Sequence, residues 1–227
     1  TFVEEAKKDN KFVFDVHEFW KIFEHHPSLT GFPVSHINRK IDLIVTSEPT
    51  YIKVGKIIRE KLIANNGIEY NPKFIAEAYA KDRMMLYKEL ILPALEQGID
   101  VFQSRSLSST IVYQRQSAID DGLDFNVKDI LSLSGNKFCY NHPMDYLVIP
   151  TIENVEEVMD RLENREKEDN CIFENLEFQL KLKEQYESED FREIFESKGV
   201  KVVYLDAGKS LEHSKKLARE FYQQYLK

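Results

Sequence analysis

Five short apolar runs punctuate this sequence: FVFDV (12–16), IDLIVTSEP (41–49), IDVFQS (99–104), DYLVIPTI (145–152) and VKVVYLDA (200–207). They are rich in Val and Ile and nearly continuous in hydrophobicity. A strand exposed on one face alternates apolar with polar residues, whereas a strand covered on both faces reads like these runs. Helical stretches separate them, at 54–64, from Asn71-Pro72 until Pro93 interrupts, and at 108–119, 127–133, 155–165, 174–198 and 211–226. Pro72 suits a first helical turn, where its missing N–H costs nothing. Alternating strand and helix predicts an α/β fold, a parallel sheet flanked by helices. The length of 227 residues suits one domain spanning 1–227. The stretch 17–40 breaks the pattern, with two prolines and no sustained period, and reads as an irregular insertion with a short helix at 18–24.

The formal net charge is -8. That excludes a surface built to coat nucleic acid but permits a local basic pocket for a small anion. No apolar run is long enough to span a bilayer. The two cysteines, Cys139 and Cys171, form no disulfide framework, and reduced thiols in a cytoplasmic setting are the simpler reading.

Open parallel sheets bind ligands beyond the carboxyl ends of their strands. Arg105 stands at such an end, and Ser108, Ser109 and Thr110 follow it into a helix. A guanidinium there can grip a phosphate through two parallel hydrogen bonds, and the free N–H groups of a helix start also favour an anion. An arginine at the sheet rim, paired with a carboxylate, satisfies the same position equally well. Tyr79 and Arg83 are four apart and share a helical face. An aromatic beside a guanidinium suits a nucleobase, although taken alone such a pair reads first as core and surface.

The stretch DRMMLYKELILPALEQGIDVFQSRSLSSTIVYQ (82–114) resembles the central block of the thymidylate kinase family. That block carries an aromatic and Asp-Arg on a helix, a Pro-Ala-Leu segment, a strand ending in an arginine, then a Ser-Thr or Ser-Asn pair and Tyr-Gln. TSEPT (46–50) resembles the family's Thr-Arg-Glu-Pro turn, VGKIIRE (54–60) the helix after it, and HPMDYLVIPTIENVEEVMDRLENR (142–165) its strand and helix into an arginine-bearing lid. The resemblance implies a P-loop kinase fold and phosphate transfer from ATP, with Mg²⁺, to dTMP. It implies that Arg105 holds the dTMP phosphate, Tyr79 stacks on thymine and Arg83 bonds the base carbonyl. Ser109, Thr110, Tyr113 and Gln114 would line the nucleoside pocket, and Glu48 and Pro49 would shape the turn beside the acceptor phosphate. Arg161, Arg165 and Lys167 would belong to a lid at 161–172 over ATP, with Arg165 joining Arg105 in catalysis. Family members are commonly dimers, so a homodimer is possible.

Three departures stand out. The family's opening strand and Gly-x-x-x-x-Gly-Lys-Ser/Thr loop are absent from the sequence, which starts at Thr1 rather than Met, and the expectation is that both lie upstream. DAGKS (206–210) is no substitute, because the first glycine of the pattern would have to be Val203, inside a strand. Ser104 replaces the aspartate before the phosphate arginine, which leaves the Mg²⁺ ligands unassigned. Ser47 replaces the arginine of Thr-Arg-Glu-Pro. Two other readings follow from these departures: a kinase-derived protein that binds a nucleotide without turnover, and a kinase for another pyrimidine nucleotide. A zinc site at His17-Glu18 is disfavoured because Lys21 occupies the position the second histidine would need, and His25 and His26 are adjacent.

Overall fold

Strands β1 (Val13–Asp15), β2 (Leu43–Ser47) and β3 (Asp100–Ser104) run parallel in that order, while β4 (Tyr146–Thr151) and β5 (Lys201–Asp206) form a second parallel pair. These assignments come from a computed structural model that describes residues 1–23, 40–152 and 176–227. Each expected run contains a strand. The sheet is not continuous among the described residues, because β3 pairs only with β2 and β4 only with β5.

The helices are α1 (Phe2–Lys8), α2 (Val16–Phe23), α3 (Lys53–Ile57), α4 (Pro72–Leu86), α5 (Leu92–Glu96), α6 (Leu107–Asp120), α7 (Val127–Ser132), α8 (Ser134–Tyr140), α9 (Leu176–Glu187), α10 (Glu189–Glu196) and α11 (Leu211–Tyr225). Asn71 caps α4 by accepting a hydrogen bond from the Lys73 N–H, with Pro72 at the first position as expected. Pro93 does not end the helical path. A π-helical turn at Tyr87–Ile91 precedes it, so Pro93 falls in the first turn of α5, where its missing N–H breaks no bond. The expected helix at 174–198 is two helices, because Ser188 is extended and its hydroxyl accepts from the Phe191 N–H to start α10. Helix α8 was not expected from periodicity. DAGKS is a helix start: Asp206 accepts from the Gly208 N–H and Ser210 caps α11 through the His213 N–H. The remainder of the insertion (24–39), the helix expected at 155–165 and the lid lie outside the described residues.

One apolar core joins the parts. Ile44, Leu86, Leu90, Leu107, Ile111, Leu147 and Ile149 belong to it, as does Trp20 of α2, with Phe19 packed against it. Burying a side chain of this kind contributes about 1.5–3 kcal/mol. Helices α1 and α11 meet over another part of the strands: Ala6, Leu43 and Tyr222 form a second cluster, and Phe221 touches both Phe2 and Tyr146. The carboxyl ends of β2 and β3 finish level, with Ser47 opposite Ser104. Both residues that follow, Glu48 and Arg105, are therefore delivered to the same edge.

Candidate active site

The turn after β2 is held from three sides. The Glu48 N–H donates to the Ser104 carbonyl (3.0 Å), tying the turn to the end of β3. Asp82 of α4 accepts from the Thr50 N–H (2.8 Å) and hydroxyl (2.7 Å). Arg59 Nε donates to the Pro49 carbonyl (2.8 Å), and its Nη2 donates to the same oxygen. Gly55 lets α3 approach this closely: a Cβ there would lie 2.3 Å from the Thr50 hydroxyl. Burial pushes the Asp82 carboxyl up from its ordinary value, against the pull of the two Thr50 bonds.

Arg83, the next residue of α4, has no exposed surface. Its Nε donates to Glu48 Oε1 (3.2 Å) and its Nη2 pairs with Glu48 Oε2 (2.5 Å), one fork of the guanidinium. The other fork donates from Nη2 to the Thr110 hydroxyl (2.9 Å) and from Nη1 to Asn136 Oδ1. Gln103 Nε2 completes the Glu48 carboxylate at 2.8 Å. Burial raises the Glu48 carboxyl and Arg83 opposes that rise. Expected as a contact for a base carbonyl, Arg83 has four of its five N–H groups donating to described protein acceptors, which leaves one Nη1 N–H for such an atom.

Arg105 is different. It is exposed and adopts a left-handed backbone, φ +62°. A residue with a Cβ is strained there by about 1–2 kcal/mol, as are Asn10 (φ +62°) and Lys53 (φ +48°) elsewhere in the fold. No carboxylate lies within ion-pair distance of it among the described residues, so the alternative of a paired rim arginine finds no partner there. Its guanidinium lies over the Tyr113 ring, 5.3 Å from the centroid. Arg59 brings a second cation to this edge. Its Nη2 lies 3.5 Å from the Ser47 hydroxyl and its guanidinium stacks 3.9 Å over Tyr51. Burial, and to a smaller extent the like charge of Arg105, lowers the Arg59 pKa. Neither guanidinium has a carboxylate within ion-pair distance among the described residues, and two cations at one edge favour an anion there.

Helix α6 follows directly. Its N-cap, Ser106, makes no side-chain capping bond. Ser109 accepts from the Tyr186 hydroxyl of α9 (3.4 Å), and burial raises the Tyr186 phenol. Gln114 is 2% exposed and its Oε1 has no partner among the described residues, an arrangement that costs about 1–3 kcal/mol unless a ligand supplies a donor. Tyr79 is half-buried against the Ile58, Leu62, Ile75 and Ala78 cluster. Pro49 is buried within the turn.

The thymidylate kinase family model matches residues 35–217. The chain belongs to the thymidylate kinase family. Relatives include a probable thymidylate kinase of Methanococcus vannielii, 31% identical over 147 residues, 65% of this chain and 65% of that protein. A thymidylate kinase of Prochlorococcus marinus is 35% identical over 138 residues, 59% of this chain and 63% of that protein. The chain thus spans just under two thirds of the length of these relatives. The structure of thymidylate kinase from Candida albicans matches 94% of this chain and 90% of its own, with a TM-score of 0.55 and 16% identity, and shows the shared fold.

Within this thymidylate kinase family member, Glu48, Pro49, Arg83, Arg105, Ser109 and Thr110 gather around the ends of β2 and β3 and the start of α6, Tyr113 lies beside Arg105, and Gln114 is buried further along α6. Arg161, Arg165 and Lys167 lie outside the described residues. Arg59, Asp82, Gln103, Asn136 and Tyr186 join these residues from outside the expected set of site residues. Arg59 had a signal: it is four residues after Gly55, so one helical face carries both the close approach and the cation. Asn136 had none, being an amide in a helix without a clear apolar period. The described residues hold no group of three or more His, Cys, Asp or Glu side chains able to hold a metal ion. Of the carboxylates beside the turn after β2, Glu48 and Asp82 are committed to Arg83 and Thr50, and Ser104 offers only a hydroxyl.

Proposed function

We propose that this chain is a nucleoside monophosphate kinase that transfers phosphate from ATP to dTMP, giving dTDP and ADP. The observation that carries the reading is Arg105, strained, exposed and without a carboxylate partner among the described residues, beside the uncapped start of α6. In-line phosphoryl transfer asks a protein mainly to position the groups and neutralise charge. Arg105 and Arg59 would neutralise the acceptor phosphate, with Arg59 standing in for the cation lost at Ser47. Tyr79 would stack on the pyrimidine, while Tyr113, Ser109 and Thr110 line the pocket and Gln114 Oε1 accepts from a ring N–H. Arg83 would set the positions of Glu48 and Thr110 from behind. Arg161, Arg165 and Lys167 would cover ATP, with Arg165 assisting transfer. Mg²⁺ would come with the donor nucleotide, held largely by phosphates and water as that ion usually is.

A homodimer and a cytoplasmic setting belong to the same reading. Ile57 (54% exposed) of α3 and Phe74 (52%) of α4 are apolar side chains available to a second copy. No described helix is long and apolar enough to cross a membrane.

The test is ADP release by the complete gene product with dTMP, dCMP and dGMP. A clear preference for dTMP is expected. Phosphorylation of none of them would refute the kinase reading.

A further inference from the structure

Asn136 lies outside every motif that pointed to the site, on α8, yet it is fully buried and touches the centre of the network. Its Nδ2 donates to the Ile130 carbonyl of α7 (2.8 Å), which settles the orientation of the amide. Oδ1 must then face Arg83 Nη1, which donates to it. Next to it, Gly135 presses α8 onto α4: a Cβ there would lie 1.7 Å from the Ala80 carbonyl oxygen. The contact leaves α8 little freedom to retreat from Arg83.

A buried guanidinium needs its N–H groups satisfied, and its direction is set by whichever acceptors are rigid. Glu48 belongs to a turn and Thr110 to the first turns of α6. Asn136 is anchored to a helix carbonyl on a third element. An amide also suits the place electrically. It accepts from Arg83 without adding a third carboxylate beside Glu48 and Asp82, both already pushed up by burial.

We propose that Asn136 is a positioning residue for nucleotide binding, fixing the plane of Arg83 and through it the Glu48 carboxylate and the Thr110 hydroxyl. The effect on dTMP rests on the function proposed above, whereas the effect on Arg83 does not. Two readouts separate them in the full chain. The first is the side-chain NMR of Arg83. A guanidinium locked on both forks shows separate Nη proton signals, and Asn136→Ala should merge them.

The second is calorimetry with dTMP, well below the unfolding temperature. Asn136→Ala should weaken binding about tenfold, the scale of one hydrogen bond to a charged group. Leu131→Ala, a truncation in the same helix pair, should lower thermal stability and leave both readouts unchanged. If Asn136→Ala does not fold, Asn136→Ser and the wild-type signals decide.

Averaged Arg83 signals in the wild type would overturn the proposal. So would unchanged dTMP affinity in a folded Asn136→Ala or Asn136→Ser, or an equal loss of affinity in Leu131→Ala. Wild-type protein that binds no dTMP would refute the functional reading, and the Arg83 signals would still decide whether Asn136 fixes the guanidinium.

Discussion

Replacing Arg83 by Met tests the centre of the site most directly. Methionine fills similar volume and carries no donor. Four hydrogen bonds disappear, two of them to Glu48, and the Glu48 carboxylate is left 2% exposed with only Gln103 beside it. Removing one partner of a buried ion pair costs about 3–5 kcal/mol. That is a large share of the roughly 5–15 kcal/mol that stabilises a domain. Adding Glu48→Gln removes the stranded charge, so the double variant should be about 2 kcal/mol more stable than Arg83→Met alone, within the coupling seen for contacting residues. The pH dependence has a definite sign. Burial already raises Glu48, and losing Arg83 raises it further. A carboxyl with a folded pKa above its unfolded value favours folding most below the unfolded value and loses that contribution as pH rises through the folded one. The deficit of Arg83→Met should therefore shrink between pH 7.5 and about 4.5. Urea titration of the wild type, Arg83→Met and the double variant at both pH values measures all three quantities. A single-variant loss below about 1 kcal/mol, or equal stability of single and double variants, would refute the argument that an uncompensated charge dominates.

Two further outcomes are expected. Arg105→Gly should stabilise the chain by about 1 kcal/mol in urea titration, because glycine tolerates a φ of +62°, while weakening dTMP binding about tenfold or more by calorimetry. Burial pushes the Cys139 thiol up to about 11 from an ordinary value of 9.0. The fold therefore favours the thiol, a contribution present below the ordinary value and lost as pH rises through about 11. Peptide mapping after alkylation at pH 8 should find Cys139 unmodified in native protein and modified in urea.

How far the site could be read in advance differed from residue to residue. That Arg105 stands between a strand end and a helix start could be read from the sequence, since this is a local pattern, whereas position alone suited a phosphate and a carboxylate partner equally. Glu48 and Thr110 were expected beside a nucleotide, and both reach the site through neighbours that periodicity does not predict. The burial of Arg83 was not legible. On a helix four residues after Tyr79 it looks like a surface charge or a ligand contact, and its burial depends on α6, α8 and the turn after β2 converging on it.

The sequence by itself determined the five strands and their parallel sense, and pointed to one edge as the candidate site, because strand burial and chain reversal are written in local hydrophobic period and turn residues. Tertiary structure alone decided which charges are spent and which are available. Arg83, Arg59 and Arg105 are chemically identical, and what separates them is the number of acceptors that distant elements bring within about 3 Å of each guanidinium. That number is a property of three-dimensional proximity between segments remote in the chain, and no one-dimensional pattern encodes it.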